Sequence, residues 1–324
     1  FAGFMAAFVL LGAAAGLAMT AAASEPTVGV LTYPSHDTAC APNDRSSVCV
    51  AARTAAAHAP TGSYVDSSYK NWLEMAGARV VPIRYDLAQS EVRTLFTKLN
   101  AILFTGGPAK PLTAPAPYYQ TAKLLYSMAT QGKIPLWGTC LGLQTISTIV
   151  NDDADVLGDF PLENYAYPLD LTLAAASSKL FGAMSSKELA DFGENVTTNW
   201  HHFGVAPEAL SKTNLVPLAT NVALNGETFV SALEGAGDLE VFAVQFHPES
   251  VQWQKPSEGV PAKSAAAIRS AQSLGRVLIE RARNNSHTFA SDAELAAMSF
   301  ERQATFEPLD PTSLYPSDGV YLFS

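Results

Sequence analysis

The chain has 324 residues, of which 48% are hydrophobic and 15% are charged. This composition supports a sizeable core and excludes a disordered or coiled-coil protein, while the length fits either one large domain or two small ones. The formal net charge of −10 excludes a general nucleic-acid-binding protein, which would need a basic surface.

The first 24 residues differ from the remainder of the sequence. Residues 1–23 carry no charge, are rich in Ala, Leu, Val and Phe, and end in small residues, and the first charged residue is Glu25. This pattern is typical of a secretory signal peptide, so we expect a signal at residues 1–24 and one domain at residues 25–324. An uncleaved membrane anchor is the alternative, because the apolar run is nearly long enough to span a bilayer.

In chain order, the hydrophobic pattern predicts a strand at residues 27–33, a loop at 34–62, a helix at 64–76, a strand at 79–83, a helix at 90–99, a strand at 101–105, a helix at 119–131, a strand at 134–137, a helix at 141–150, antiparallel strands and loops at 151–241, a strand at 239–246 and a helix at 262–282. The chain after residue 284 is expected to be mostly irregular. Continuously apolar strands that alternate with helices indicate a parallel sheet covered on both faces. We therefore predict an α/β fold, a three-layer sandwich with a mostly parallel central sheet.

Three cysteines and two glycosylation patterns bear on the cellular compartment. Cys40 and Cys49 share a loop rich in Pro, Asn, Asp and Ser, and they can form a disulfide if the compartment is oxidising. That pairing leaves Cys140 as an odd cysteine. Asn195 and Asn284 each begin an Asn-x-Ser/Thr acceptor pattern for N-glycosylation, in mild agreement with a secretory route.

Cys140 lies between the predicted strand at 134–137 and the predicted helix at 141–150. Gly138 and Gly142 flank it with the spacing of a Gly-x-nucleophile-x-Gly turn. Such a turn is sterically tight, so side chains at the flanking positions would collide with neighbouring backbone. The dipole at the start of the helix favours negative charge on the sulfur. We predict that Cys140 is a nucleophile.

His247 stands at the end of the strand predicted at 239–246, and Glu249 follows two residues later. A thiol nucleophile needs an imidazole to take its proton and later to pass a proton to the leaving amine. The imidazole needs an acceptor that fixes its tautomer. We predict that His247 is the base and that Glu249 orients it.

The Gly-Gly-Pro sequence after the strand at 101–105 completes the predicted site. In an open parallel sheet, ligands bind at the carboxyl ends of the strands. The backbone N–H groups of Gly107 and Leu141 are therefore candidate donors to an oxyanion. The sequence has no histidine–carboxylate or paired-cysteine spacing typical of a metal site, so we expect no metal and no cofactor.

These segments, in this order, resemble class I glutamine amidotransferases. The resemblance narrows to the γ-glutamyl hydrolase family through residues 63–65, 76–84, 137–142, 199–201, 244–249 and 282–285. It implies a cysteine peptidase of the secreted, lysosomal or vacuolar space that cleaves folylpoly-γ-glutamates through a thioester. It also implies that Tyr64, Gln144, His201 and Gln245 contact the substrate, although Gln144 stands where some relatives have Glu.

Three other functions remain open at this point: a glutaminase-type amidotransferase, a hydrolase of another γ-glutamyl compound, and an inactive binding protein on the same fold. The amidotransferase would need a synthetase partner, and the inactive protein would not need Cys140, His247 and Glu249. The expected partner is a small-molecule substrate, without nucleic acid and without stable membrane association after signal cleavage. The oligomeric state is open, with a homodimer as one option.

Overall fold

The computed structural model describes residues 25–36, 47–108, 116–254, 260–309 and 318–324. The predicted signal peptide at 1–24 and Cys40 lie outside these ranges. Within them, no helix is both long and apolar enough to cross a membrane.

Strands and helices alternate along the first half of the chain. The strands are β1 (Thr27–Leu31), β2 (Tyr33–Pro34), β3 (Ser63–Asp66), β4 (Arg79–Ile83), β5 (Ala101–Phe104), β6 (Leu136–Thr139), β7 (Leu157–Tyr167), β8 (Asp170–Leu171), β9 (Thr197–Val205), β10 (Leu215–Val222), β11 (Thr228–Gly235), β12 (Val241–Val244), β13 (Thr305–Pro308) and β14 (Gly319–Phe323). The α-helices are α1 (Ser47–His58), α2 (Ser67–Met75), α3 (Gln89–Phe96), α4 (Pro117–Gly132), α5 (Leu141–Val150), α6 (Ser186–Asp191), α7 (Ser250–Trp253), α8 (Ala265–Ala282), α9 (Asp292–Ala297) and α10 (Phe300–Gln303).

The central sheet has the strand order β4-β1-β5-β6-β12-β11-β10-β8. The first five strands are parallel to one another, and β11, β10 and β8 continue the sheet in antiparallel fashion. Phe104 of β5 pairs with Gly138 of β6, and Thr139 of β6 pairs with Val244 of β12. The carboxyl ends of β5, β6 and β12 therefore lie side by side.

Each parallel strand sends alternate side chains to the two faces of the sheet, as the period of a strand requires. In β5, Ile102 and Phe104 join the core cluster that contains residues of α3, α4 and α5. Ala101 and Leu103 join the opposite cluster, which contains residues of α2 and α8. Two separate cores on the two faces make three layers, and the predicted α/β fold with a mostly parallel sheet is confirmed. The assignment of residues 25–324 to a single domain stays a prediction.

The predicted helix at 64–76 begins too early. Residues Ser63–Asp66 form the short strand β3, and α2 starts at Ser67. Asp66 caps the helix, because its side chain accepts a hydrogen bond from the Ser68 backbone N–H at 2.9 Å. Tyr64 therefore lies on a strand, which pairs with β2 and β14 in a four-stranded sheet of order β13-β14-β3-β2.

Two expectations of irregular structure are wrong. The loop predicted at 34–62 contains α1, since the alanine-rich stretch at 51–57 has high helix propensity and Ala51, Ala52 and Ala55 pack into the core. The chain after residue 284 contains α9, α10, β13 and β14. These elements are short, so their hydrophobic period was too brief to detect in the sequence.

Candidate active site

Three strand ends of the central sheet converge at its carboxyl edge. β5 leads to Gly106, β6 leads to Cys140, and β12 leads to His247. The Cys140 N–H donates to Val244 O at 2.8 Å, so the end of β12 holds the cysteine turn. The His247 N–H donates to Thr198 O at 2.8 Å, so β9 fixes the histidine from the other side. Backbone hydrogen bonds between different strands thus bring the predicted residues Cys140 and His247 together.

Cys140 occupies a strained turn between β6 and α5. Its φ is 51° and its ψ is −103°, a region that non-glycine residues rarely adopt. A Cβ on Gly138 would stand 2.7 Å from the backbone carbon of Gly142, and a Cβ on Gly142 would stand 2.5 Å from Phe104 O. Both flanking glycines are therefore needed for the close approach of backbone that the sequence predicted.

We expect Gly142→Ala to destabilise the protein by about 1–3 kcal/mol, because the new methyl group would collide with the fixed carbonyl of Phe104. Gly132→Ala is the matched control, since a Cβ there would meet only the Phe96 ring at an ordinary 3.6 Å. Urea unfolding of both variants measures the difference. Equal stability of the two variants would contradict a packing requirement at Gly142.

His247 and Glu249 form a buried pair. The Nδ1 atom of His247 lies 2.7 Å from Oε1 of Glu249, and both side chains are about 2% exposed. Burial alone would lower the pKa of His247, but the negative charges of Glu249 and Cys140 outweigh burial and raise this pKa to about 10. The imidazolium form is therefore favoured beside Cys140 at neutral pH. Nδ1 donates to the carboxylate, which leaves Nε2 available for proton transfer.

Two predicted substrate-contacting glutamines lie next to the cysteine. The side-chain amide of Gln245 donates to Sγ of Cys140 at 3.4 Å. Gln144 donates to Phe203 O at 2.7 Å and lies 3.5 Å from Oε1 of Gln245. This chain of amides fixes the Gln245 side chain with its donor towards the sulfur. Gln245 is thus a direct neighbour of the thiol.

His201, which is predicted to contact the substrate, lies on β9. The ring of His201 is 4% exposed and lies 4.8 Å from the Phe229 ring in an edge-on contact. Burial, followed by the nearby charge of His247, lowers the pKa of His201 to about 3, so its ring is neutral. Trp200, the preceding residue, is the one whose ring packs on His247, at 5.4 Å. A substrate contact by His201 stays a prediction.

A small cavity reaches the His247–Glu249 pair, and Tyr64 lines it as expected of a pocket residue. Asp66, Tyr69 and Gly106 also line it. Cys140 is not among the residues that line this cavity. Gly106 lies between the cavity and the cysteine, since a Cβ on Gly106 would stand 3.5 Å from Cβ of Cys140. Tyr69 was not among the predicted site residues, because the sequence indicated only that it lies in the helix predicted at 64–76.

The roles of the remaining predicted site residues stay predictions. Gly107 lies near the Leu141 side chain, since a Cβ on Gly107 would stand 2.5 Å from Cδ2 of Leu141, and the oxyanion role of the two N–H groups stays a prediction. Asn195 and Asn284 are exposed, so both are accessible to modification. Cys140 is the free cysteine of the described residues. Because Cys40 lies outside them, its pairing with Cys49 stays a prediction.

Comparisons with known proteins agree with this geometry. Residues 62–260 match the family model of "Glutamine amidotransferase class-I". Gamma-glutamyl hydrolase B of Dictyostelium discoideum is 32% identical over 72% of this chain and 70% of its own length. Gamma-glutamyl hydrolase of Mus musculus is 30% identical over 80% of this chain and 83% of its own length.

Among solved structures, the glutaminase domain of Trypanosoma brucei CTPS with bound acivicin superposes with a TM-score of 0.51 at 14% identity, over 81% of this chain and 96% of that domain. This likeness concerns the fold. The family model and the sequence identities show that the chain belongs to the γ-glutamyl hydrolase family of the class I glutamine amidotransferases.

Proposed function

We propose that this protein hydrolyses the γ-glutamyl bonds of folylpoly-γ-glutamates through a thioester on Cys140. The observation that carries the proposal is the buried His247–Glu249 pair beside a cysteine in a strained strand-to-helix turn. The relatives named gamma-glutamyl hydrolase support the bond type. The choice of a folate conjugate rests on the family resemblance.

The first half of the reaction forms the thioester. The thiolate of Cys140 attacks the γ-carbonyl carbon, and the carbonyl oxygen becomes an oxyanion that accepts from the N–H groups of Gly107 and Leu141. Collapse of this intermediate breaks the carbon–nitrogen bond. Nε2 of the His247 imidazolium gives its proton to the departing amine, while Glu249 holds Nδ1.

The second half restores the enzyme. Neutral His247 takes a proton from a water molecule, whose oxygen attacks the thioester carbon. Collapse of the second tetrahedral intermediate releases the thiolate and a γ-carboxyl product, and His247 is again protonated. Each cycle consumes one water and requires no metal or cofactor.

Product analysis on a polyglutamyl folate of defined length tests the proposal. We expect release of glutamate or of shorter folates, with no ammonia from free glutamine. Ammonia release from glutamine would instead support a glutaminase-type amidotransferase. Turnover of other γ-glutamyl compounds alone would support a different hydrolase, and absence of any turnover would support a binding protein. The positions of the cut bonds separate endo- from exo-cleavage.

We expect Glu249→Gln to move the alkaline limb of the kcat/KM profile to lower pH by about one unit or more. The Glu249 carboxylate raises the pKa of His247, so its neutralisation lowers that pKa, and the imidazolium is lost at a lower pH. One unit corresponds to about 1.4 kcal/mol of lost interaction. Glu280→Gln, which removes an exposed partner of Arg276, is the control. An unchanged limb would show that Glu249 does not act on His247.

We also propose that the protein follows the secretory route to the medium, a lysosome or a vacuole, and that Cys40 and Cys49 form a disulfide. The apolar leader and the exposed Asn195 and Asn284 support the route. Titration of free thiols in unreduced, denatured protein should give one thiol, that of Cys140. Three titratable thiols would contradict the disulfide, whose short loop is worth about 2–3 kcal/mol. Sedimentation velocity tests whether the protein forms a homodimer.

A further inference from the structure

Tyr69 is a buried residue of the site, and it is neither one of the predicted site residues nor a participant in the proposed mechanism. It lies on α2, is 4% exposed and packs in the core cluster shared by α2 and α8. Tyr69 nevertheless also lines the cavity beside His247 and Glu249, so it belongs to the site as well as to the core. A phenol that serves packing alone does not need an oxygen at this position.

The hydroxyl of Tyr69 accepts a hydrogen bond from the backbone N–H of Gly106 at 2.7 Å. Gly106 precedes Gly107, the candidate oxyanion donor. Two adjacent glycines have wide backbone freedom, so their peptide groups need an external anchor to keep one orientation. The Tyr69 oxygen supplies such an anchor from a rigid helix.

The surroundings of Gly106 show how close this anchor is to the reacting groups. A Cβ on Gly106 would stand 2.8 Å from the Tyr69 oxygen, 2.8 Å from Cε1 of His247 and 3.5 Å from Cβ of Cys140. The Tyr69 hydroxyl, His247 and Cys140 therefore all lie close to the α-carbon of Gly106 on its Cβ side. A shift of this peptide group would move the neighbouring N–H of Gly107.

Tyr69 also keeps its phenolic proton. Burial, and next the negative charge of Glu249, raise the pKa of Tyr69 well above its usual value. A phenolate in this place would be a third negative charge beside the carboxylate and the thiolate. The hydroxyl is thus a neutral acceptor for Gly106.

We propose that Tyr69 is a positioning residue for the oxyanion site: its hydroxyl fixes the Gly106 peptide so that the N–H of Gly107 stays directed at the oxyanion formed on attack by Cys140. The proposal rests on the proposed cysteine acyl transfer and adds a determinant outside the Cys140–His247–Glu249 group. It predicts that loss of the hydroxyl harms reactions that build an oxyanion and spares other reactions of the same thiol.

Two reactions of Cys140 separate these cases. Acylation by p-nitrophenyl acetate passes through an oxyanion, whereas alkylation by iodoacetamide is a displacement at carbon that forms none. In the full-length protein, we expect Tyr69→Phe to slow acylation of Cys140 about tenfold and to change alkylation by less than twofold. Mass spectrometry of the Cys140 peptide measures both rates, and Cys140→Ala sets the background.

Tyr119→Phe is the matched control, because it also removes a hydrogen-bonded hydroxyl from a buried tyrosine, in this case one that donates to Asp153. Unchanged acylation in Tyr69→Phe, an equal loss of both reactions, or the same acylation loss in Tyr119→Phe would each overturn the proposal. An equal loss would show that the hydroxyl maintains the fold or the thiolate. Because acetyl transfer needs no γ-glutamyl group, the proposal stands or falls separately from the substrate assignment.

Discussion

Cys140→Ala should reduce hydrolysis of polyglutamyl folate about a thousandfold or more while leaving folding and substrate binding nearly unchanged. Alanine removes only the sulfur, and a small residue fits the tight turn between Gly138 and Gly142. Without the thiolate there is no thioester route, and the oxyanion donors alone support only a residual rate. Steady-state rates, circular dichroism and calorimetric binding of the substrate measure the three properties.

The matched control for this variant is Ser147→Ala in the same helix, where a buried hydroxyl donates to Leu143 O away from the sulfur. It should keep nearly full activity. If Cys140→Ala stayed within about tenfold of the natural enzyme, a difference of about 1.4 kcal/mol in the barrier, Cys140 would be structural. The thioester mechanism would then have to be abandoned.

His247→Ala should be nearly as damaging as Cys140→Ala, and the double variant should be only slightly slower than either single one. The two side chains act as one unit, so removal of either removes the same chemistry. The variant should also lose stability, because the buried carboxylate of Glu249 would lack its partner. Rates are therefore compared below the melting temperature of each variant, after circular dichroism has confirmed folding.

The rate of the double variant, compared with the rates of the two single variants, shows whether Cys140 and His247 act together. If the losses from His247→Ala and Cys140→Ala multiplied in the double variant, the two residues would contribute independently. Such a result would contradict proton transfer between them.

The sequence predicted those parts of the molecule that depend on local pattern. The alternation of apolar strands with helices predicted the three layers, and the two glycines around Cys140 predicted the tight turn. Both patterns can be recognised in residues that are close together in the sequence. The His247–Glu249 contact was also predictable, since the two residues follow the same strand end and the imidazole needs an acceptor nearby. In each case a short stretch of chain specifies the geometry.

Features that depend on distant contacts were not predictable in the same way. The strand β3 was assigned to a helix, because its pairing partners β2 and β14 lie far from it in the chain. Tyr69 lies in a segment for which the sequence predicted only a helix, and its hydroxyl reaches Gly106 only in the folded chain. The packing of His201 on Phe229 likewise depends on where β9 meets β11.

The pairing of β14 with β3 has a consequence for how the protein matures during synthesis. Leu322 pairs with Tyr64 and Val320 with Asp66, so two strands that are far apart in the sequence meet beside the cavity. A nascent chain that has emerged only as far as α8 already contains Cys140, His247 and Glu249. Its cavity wall still lacks the strand that supports Tyr64. Residues 319–323 must therefore be synthesised before this side of the site is complete, and we expect no activity from a nascent chain that lacks them.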